Sequence, residues 1–247
     1  EGKGIARLNL WISIPALFLA FAVWMVWSVV VVNLPRVGFD FSTNQLFWLA
    51  ALPGLSGATL RIFYSFMVPI FGGRLWTTIS TASLLLPALG ICFAVQNPQT
   101  PYWIFLVLAF LCGFGGGNFA SSMSNISFFF PKKVQGYALG MNAGLGNFGV
   151  TTMQILIPLV MTFGLFGGDS ATLQQTSGTL IGKIPAGTET YIQNAGYVWL
   201  LFLVPLAFAG WFGMNNIRDN HVSPDIPGPF GAFGIITFML LIGFLTA

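Results

Sequence analysis

A single arginine, Arg61, stands near the middle of an otherwise uncharged run from Leu46 to Phe71. An ionised arginine at the centre of a membrane helix costs about 2.5–3.5 kcal/mol on insertion scales. It lies about ten residues, or roughly 15 Å, from the nearer end of that run, too far for its head to snorkel into the interface. Asp40, Asp169, Glu189, Asp219 and Asp225 all fall outside the apolar runs, so no internal carboxylate is placed to pair with it. The missing counter-charge can therefore be a ligand. A planar guanidinium suits a planar oxyanion, which it can hold through two parallel hydrogen bonds.

Other polar and small residues recur at helical spacing around this position. Gly54, Gly57, Tyr64 and Ser65 share the Arg61 face at i−7, i−4, i+3 and i+4, while the remainder of the run is Leu, Ile, Phe and Val. That face reads as a cavity wall. A second run carries Gly113, Gly115, Gly116 and Gly117, and then Asn118, Ser122 and Asn125 form one polar stripe at i, i+4 and i+7. This stripe is either pore-lining or hydrogen-bond glue between helices. A third run places Gly136, Gly140 and Gly144 four apart, a spacing that lets helix backbones approach closely. Asn142, Gly144, Gly146 and Asn147 crowd its middle, where amide donors and bare backbone would suit a neutral shell around an anion. Phe21, Trp24 and Ser28 share one face of the first run. Most aromatics in such a chain face lipid or sit in interfacial belts.

The elements that position these residues must be membrane helices. Only 6% of the 247 residues are charged and 55% are hydrophobic. Soluble domains carry about 25% charged residues, and a chain this poor in charge could not cover a water-facing surface. Charge-free windows of the length a helix needs to cross a bilayer place six spans, at about 10–32, 46–71, 76–95, 102–130, 134–166 and 192–214. A linker over 218–227 and a seventh apolar span over 228–247 follow. The run after Arg7 is too long for a secretory signal and lacks a clear cleavage site, so it reads as the first span. Lys3, Arg7, Arg74, Lys132, Lys133 and Arg218 share one set of ends, against Arg36 and Lys183 on the other. The bias predicts a cytoplasmic amino terminus in the inner (plasma) membrane. The outer connection from Gly167 to Tyr191, rich in Gly, Ser, Thr and Gln without an apolar period, is expected to be a mobile loop.

Several function classes are excluded. Cys92 and Cys112 lie within apolar runs without a CxxC or Cys/His pattern, and the single histidine, His221, cannot build a metal cluster or a hydrolase triad. The net charge of +3 is scattered singly or in one Lys132-Lys133 pair, which gives no footprint for nucleic acid. Gly178 to Lys183 lacks the spacing and the Ser/Thr of a phosphate loop, and Asn125-Ile-Ser127 is a glycosylation sequon at membrane depth, where it has no meaning. No cofactor is expected. The spans hold no Asp, Glu or His for a proton relay.

Gly57-Ala-Thr-Leu-Arg61-Ile-Phe-Tyr-Ser-Phe-Met-Val-Pro69-Ile-Phe-Gly-Gly-Arg74 resembles the second span and following loop of the NarK-type nitrate/nitrite porters. Gly113 through Pro131 is similar to their fourth span, and Gly140-Met-Asn-Ala-Gly-Leu-Gly-Asn147-Phe-Gly149 to their nitrate signature. The resemblance runs from about Leu8 to Asn216. It implies an all-α integral membrane fold, the six-helix amino-terminal half of a major facilitator transporter. It also implies a substrate site between two such halves and alternating access by their rocking. By the same resemblance Arg61 would bind nitrate or nitrite, Phe119 would sandwich the planar anion with Phe21 nearby, and Asn147 would contact it. Exchange of nitrate for nitrite is favoured over proton symport. The last apolar stretch, from Pro227 to Ala247, does not resemble the family's seventh span. Three readings stay open: a piece of a longer transporter, a half that pairs with another half, or a transport-inactive half serving as a structural subunit of a larger membrane complex.

Overall fold

In the computed structural model, which describes residues 2–179, 182–217, 231 and 233–239, six apolar helical segments are long enough to cross a bilayer. The protein is an all-α, multi-pass membrane protein. The first segment comprises α1 (Gly2–Trp24) and α2 (Trp27–Asn33), joined through Met25 and Val26 without a change of direction large enough to end the span. It begins earlier than the expected residue 10, because polar Lys3, Arg7 and Asn9 are tolerated in turns that extend beyond the apolar core. A short 3-10 turn over Pro35–Val37 ends on Gly38 at φ 102°, a left-handed conformation that glycine adopts without strain.

Ser42 then starts α3 (Thr43–Phe71) with a capping box. Its hydroxyl accepts from the Gln45 amide, and the Gln45 side chain accepts from the Ser42 amide. Helices α4 (Gly73–Ser83) and α5 (Leu85–Ala94) form the third segment, jointed at Leu84. The fourth is α6 (Tyr102–Phe129), entered through Pro101. The fifth, α7 (Lys132–Val160), begins after Pro131 and stops six residues short of the predicted 166, its chain leaving the helix at Met161. The sixth is α8 (Asn194–Gly213). The linker over 218–227 lies outside the described residues, as does most of the seventh apolar stretch. Of that stretch, 231 and 233–239 are helical, with the Phe233 ring 5.9 Å from that of Phe63 on α3.

The connection before α8 is not the featureless loop expected. Strand β1 (Ala171–Thr172) pairs antiparallel with β4 (Glu189–Thr190), and β2 (Ser177–Thr179) with β3 (Gly182–Ile184). Leu173 is buried beneath this pair of ribbons, and the Gln174 amide donates to the Arg36 carbonyl at 2.7 Å, docking the connection on the end of the first segment. Strands of two or three residues are too short to show a hydrophobic period, so sequence pattern alone misses them.

Packing follows the rule for helices in lipid, where small residues rather than hydrophobic burial let helices associate. Helix α6 is central. On one side it meets α3, where a Cβ on Gly116 would come within 2.9 Å of the Gly57 Cα and one on Gly113 would fall on the Ser56 hydroxyl. On another it meets α1, where a Cβ on Gly115 would fall on the Ala20 carbonyl oxygen. The third glycine run behaves differently. Gly146 and Gly149 press on Leu17 and the Phe18 backbone of α1, but Gly136, Gly140 and Gly144 have nothing within 4 Å. Their spacing was expected to mark a close helix contact; among the described residues that contact is not made.

Candidate functional site

Arg61 is held at the meeting of α1, α3 and α6. Its Nε donates to the Gly116 carbonyl at 3.0 Å. That carbonyl is reachable because the glycines on both helices bring α3 and α6 almost into backbone contact. The Cζ lies 5.2 Å from the centre of the Trp24 ring and 5.0 Å from that of Phe119, so the cation rests against two aromatic faces. Each such contact contributes about 0.5–2 kcal/mol, and a charged hydrogen bond about 1.5–3 kcal/mol. Together these offset the insertion cost of roughly 2.5–3.5 kcal/mol, so Arg61 can stand charged without a carboxylate.

The rings are themselves fixed. Trp24 Nε1 donates to the Pro53 carbonyl of α3 at 2.7 Å. Phe21 stacks on Phe119 with ring centres 6.0 Å apart and planes 12° from parallel, and it tilts against Trp24 at 5.4 Å. Phe21 is buried, whereas Arg61, Trp24 and Phe119 are each half-buried and accessible from one side. None of the acidic side chains among the described residues lies in a membrane helix: Asp40 and Asp169 are in connections and Glu189 is in β4. Arg61 makes no ion pair with them, and its two terminal amino groups make no hydrogen bond to the described protein. The arrangement presents a positive, planar, bidentate donor beside a phenyl face, which suits a small flat oxyanion.

The structure thus brings together Arg61, Phe119 and Phe21 of the expected set. Asn147 is exposed on α7, its amide donating to its own helix at the Ala143 carbonyl, 3.0 Å away. Gly144 lies on the same open side, while Gly146 is buried against Leu17. No hydrogen bond or ring contact joins Asn147 to the Arg61 cluster among the described residues. Tyr64, expected to line a pore, is buried 4.9 Å edge-on from the Trp76 ring and beneath Gly117, while Ser65 is exposed and donates to the Ile62 carbonyl. Fully buried Asn142 donates to the Ser122 hydroxyl at 2.8 Å and ties α7 to α6. Asn118 is buried, lining with Ser121, Ser122, Ser80 and Thr81 a small void of about 10 Å³ between α1, α4 and α6. That volume is about one water molecule. The Asn142–Ser122 bond joins two helices in the manner of interhelical polar pairs.

Two contributors escape sequence reasoning. Trp24 shares a face with Phe21 in the sequence, but nothing there distinguishes it from the chain's other tryptophans. The Gly116 carbonyl is a backbone atom, exposed to Arg61 only because residues 57 and 116 lack side chains.

No protein-family model matches the chain. Among curated proteins it is similar to the nitrate/nitrite transporter NarU of Salmonella typhimurium, 53% identical over 223 residues, which are 90% of this chain and 46% of the relative. NarU of Escherichia coli is 52% identical over 226 residues, with the same coverage. The probable nitrate/nitrite antiporter NarK2 of Thermus thermophilus is 46% identical over 213 residues, 86% of this chain and 47% of the relative. The chain spans about half the length of these curated relatives. Over that span it keeps their sequence at a level that only common descent explains, and it belongs to the NarK-type nitrate/nitrite porter family.

Proposed function

We propose that this chain forms one half of a nitrate/nitrite exchanger and that Arg61 is the half's anion-binding residue. The observation that carries the proposal is a membrane-embedded guanidinium between the Trp24 and Phe119 rings, with Nε on the Gly116 carbonyl and no carboxylate to neutralise it. The relatives named for nitrate and nitrite supply the substrate class. Nitrate and nitrite are flat, delocalised anions. Either can accept from the two terminal amino groups of Arg61 while lying against the Phe119 face. Phe21 backs that ring.

Exchange by alternating access needs a second six-helix half, from the same chain, another copy or another subunit. The exposed Asn147 and Gly144 on α7, with the bare Gly136 and Gly140 on the same side, support a reading in which such a half packs against α7. Binding would neutralise the buried positive charge and favour closure. No acid or histidine stands in the described helices, so nothing in this segment couples transport to protons, which favours exchange of one anion for the other. The charge bias of the helix ends supports a cytoplasmic amino terminus.

The test is uptake of labelled nitrate against internal nitrite in proteoliposomes holding the purified chain, alone and co-reconstituted with the missing half of the Salmonella relative. Exchange that requires Arg61 is expected, and Arg61→Ala abolishes it. Full exchange in Arg61→Ala sinks the site assignment. A chain that never exchanges in either form, and instead co-purifies in fixed ratio with other membrane proteins, would make it a structural subunit.

A further inference from the structure

At the end of the bundle where α1 and α7 both begin lies a cleft of about 980 Å³. It is remote from Arg61 and independent of the transport reading. Its walls are apolar: Leu10 of α1, Phe130 at the close of α6, and Val134 and Met141 of α7. Two cations, Lys3 and Arg7, stand along its outer part, one helical turn apart on α1. No acidic side chain lines it among the described residues. Trp11 and Tyr137, 58% and 73% exposed, flank its inner part. Trp11 lies one turn along α1 from Arg7, so cations, amphipathic aromatics and apolar side chains are gathered within roughly 12 Å of helix. Cations beside apolar walls and interfacial aromatics are the surroundings that an anionic phospholipid, with its charged headgroup and its acyl chains, would fit.

We propose that the cleft binds an anionic phospholipid of the adjoining leaflet, its phosphate between Lys3 and Arg7 and its upper acyl chains against Leu10, Val134 and Met141. Charge complementarity selects the occupant. A zwitterionic lipid, whose phosphate is already balanced by its own ammonium, would leave the cleft's positive charge uncompensated, and a free phosphate would leave the apolar walls uncovered. The two basic groups favour an anionic headgroup by about thirtyfold together, at the contribution usual for a basic residue near an anionic surface. Lys132 and Lys133 lie at the same end but do not line the cleft, which makes them a matched control.

The experiment is native mass spectrometry of the purified chain with added phosphatidylglycerol, phosphatidylcholine or inorganic phosphate, read as bound adducts. Lys3→Gln with Arg7→Gln is expected to lower the phosphatidylglycerol adduct about thirtyfold, while Lys132→Gln with Lys133→Gln leaves it nearly unchanged. Val134→Trp, which fills the cleft with both charges intact, is expected to lower it as well. Equal losses in the two charge variants would reduce the effect to diffuse attraction and overturn the proposal. So would an undiminished adduct in Val134→Trp, or equal retention of phosphatidylcholine. Displacement of the lipid by millimolar inorganic phosphate would reassign the cleft to a free anion.

Discussion

Helices α6 and α7 are both glycine-rich, and the two use their glycines in opposite ways. On α6, Gly113, Gly115, Gly116 and Gly117 are all buried against α1 or α3. On α7, the buried pair Gly146 and Gly149 does the same, but Gly136, Gly140 and Gly144 face open space. One set removes side chains so that two backbones and a guanidinium can occupy the same small volume. The other leaves a smooth, unfilled face on a helix whose remaining surface carries Phe148 and Tyr137. A glycine in mid-helix costs about 0.5–1 kcal/mol relative to alanine, and these three bear that cost with no neighbour among the described residues. The α6 seam is complete among the described residues; the α7 face is open, and on the proposed reading a second half would cover it.

Substitutions can break or sharpen this contrast. The largest effect is expected from Gly115→Ala, whose new methyl falls on the Ala20 carbonyl and must push α1 from α6. It should lower stability by about 1–3 kcal/mol, read as a drop in the denaturation midpoint in detergent micelles. A Gly115→Ala chain as stable as the parent would mean that the seam is looser than described. Trp24→Phe keeps an aromatic face for Arg61 but loses the Nε1 donor to Pro53. A loss of about 0.5–1.5 kcal/mol is expected in the same assay. Gly140→Ala should have the smallest effect and the opposite sign, a gain of up to about 1 kcal/mol from helix propensity, because no atom stands in its way. Gly140→Leu sharpens the point: the isolated chain should remain as stable, while exchange with the second half present should fall. Unimpaired exchange in Gly140→Leu would remove α7 from the pairing surface.

How much of this was legible in the sequence differs along the chain in the same way. The six spans could be read because charge is so scarce that each interruption stands out, and Arg61 could be read because it is the exception within one of them. Phe119 and Phe21 came through family resemblance, and the structure places both beside Arg61. Tyr64 and Ser65, read together as one face, are separated in the structure for a geometric reason. Positions three and four apart share a helix face only broadly, and the roughly 100° between the consecutive Tyr64 and Ser65 turns one towards Trp76 and leaves the other outside. Glycine spacing was equally ambiguous, since it records that a face is bare without recording what covers it. The short ribbons between α7 and α8 left no periodic trace at all.

The central claim is that the Arg61 guanidinium, and not merely a positive charge at its place, holds the anion. The most direct measurement compares the parent with Arg61→Lys in nitrate-against-nitrite exchange, in proteoliposomes where both halves are present and both proteins are shown to be equally inserted. Lysine keeps the charge but loses the planar fork that two oxygens of the anion would share, and with it the Nε donor to the Gly116 carbonyl. The apparent affinity for nitrate is expected to fall by roughly tenfold or more, in line with about 1.5–3 kcal/mol for a charged hydrogen bond. Exchange by Arg61→Lys at the parent's affinity would contradict the claim.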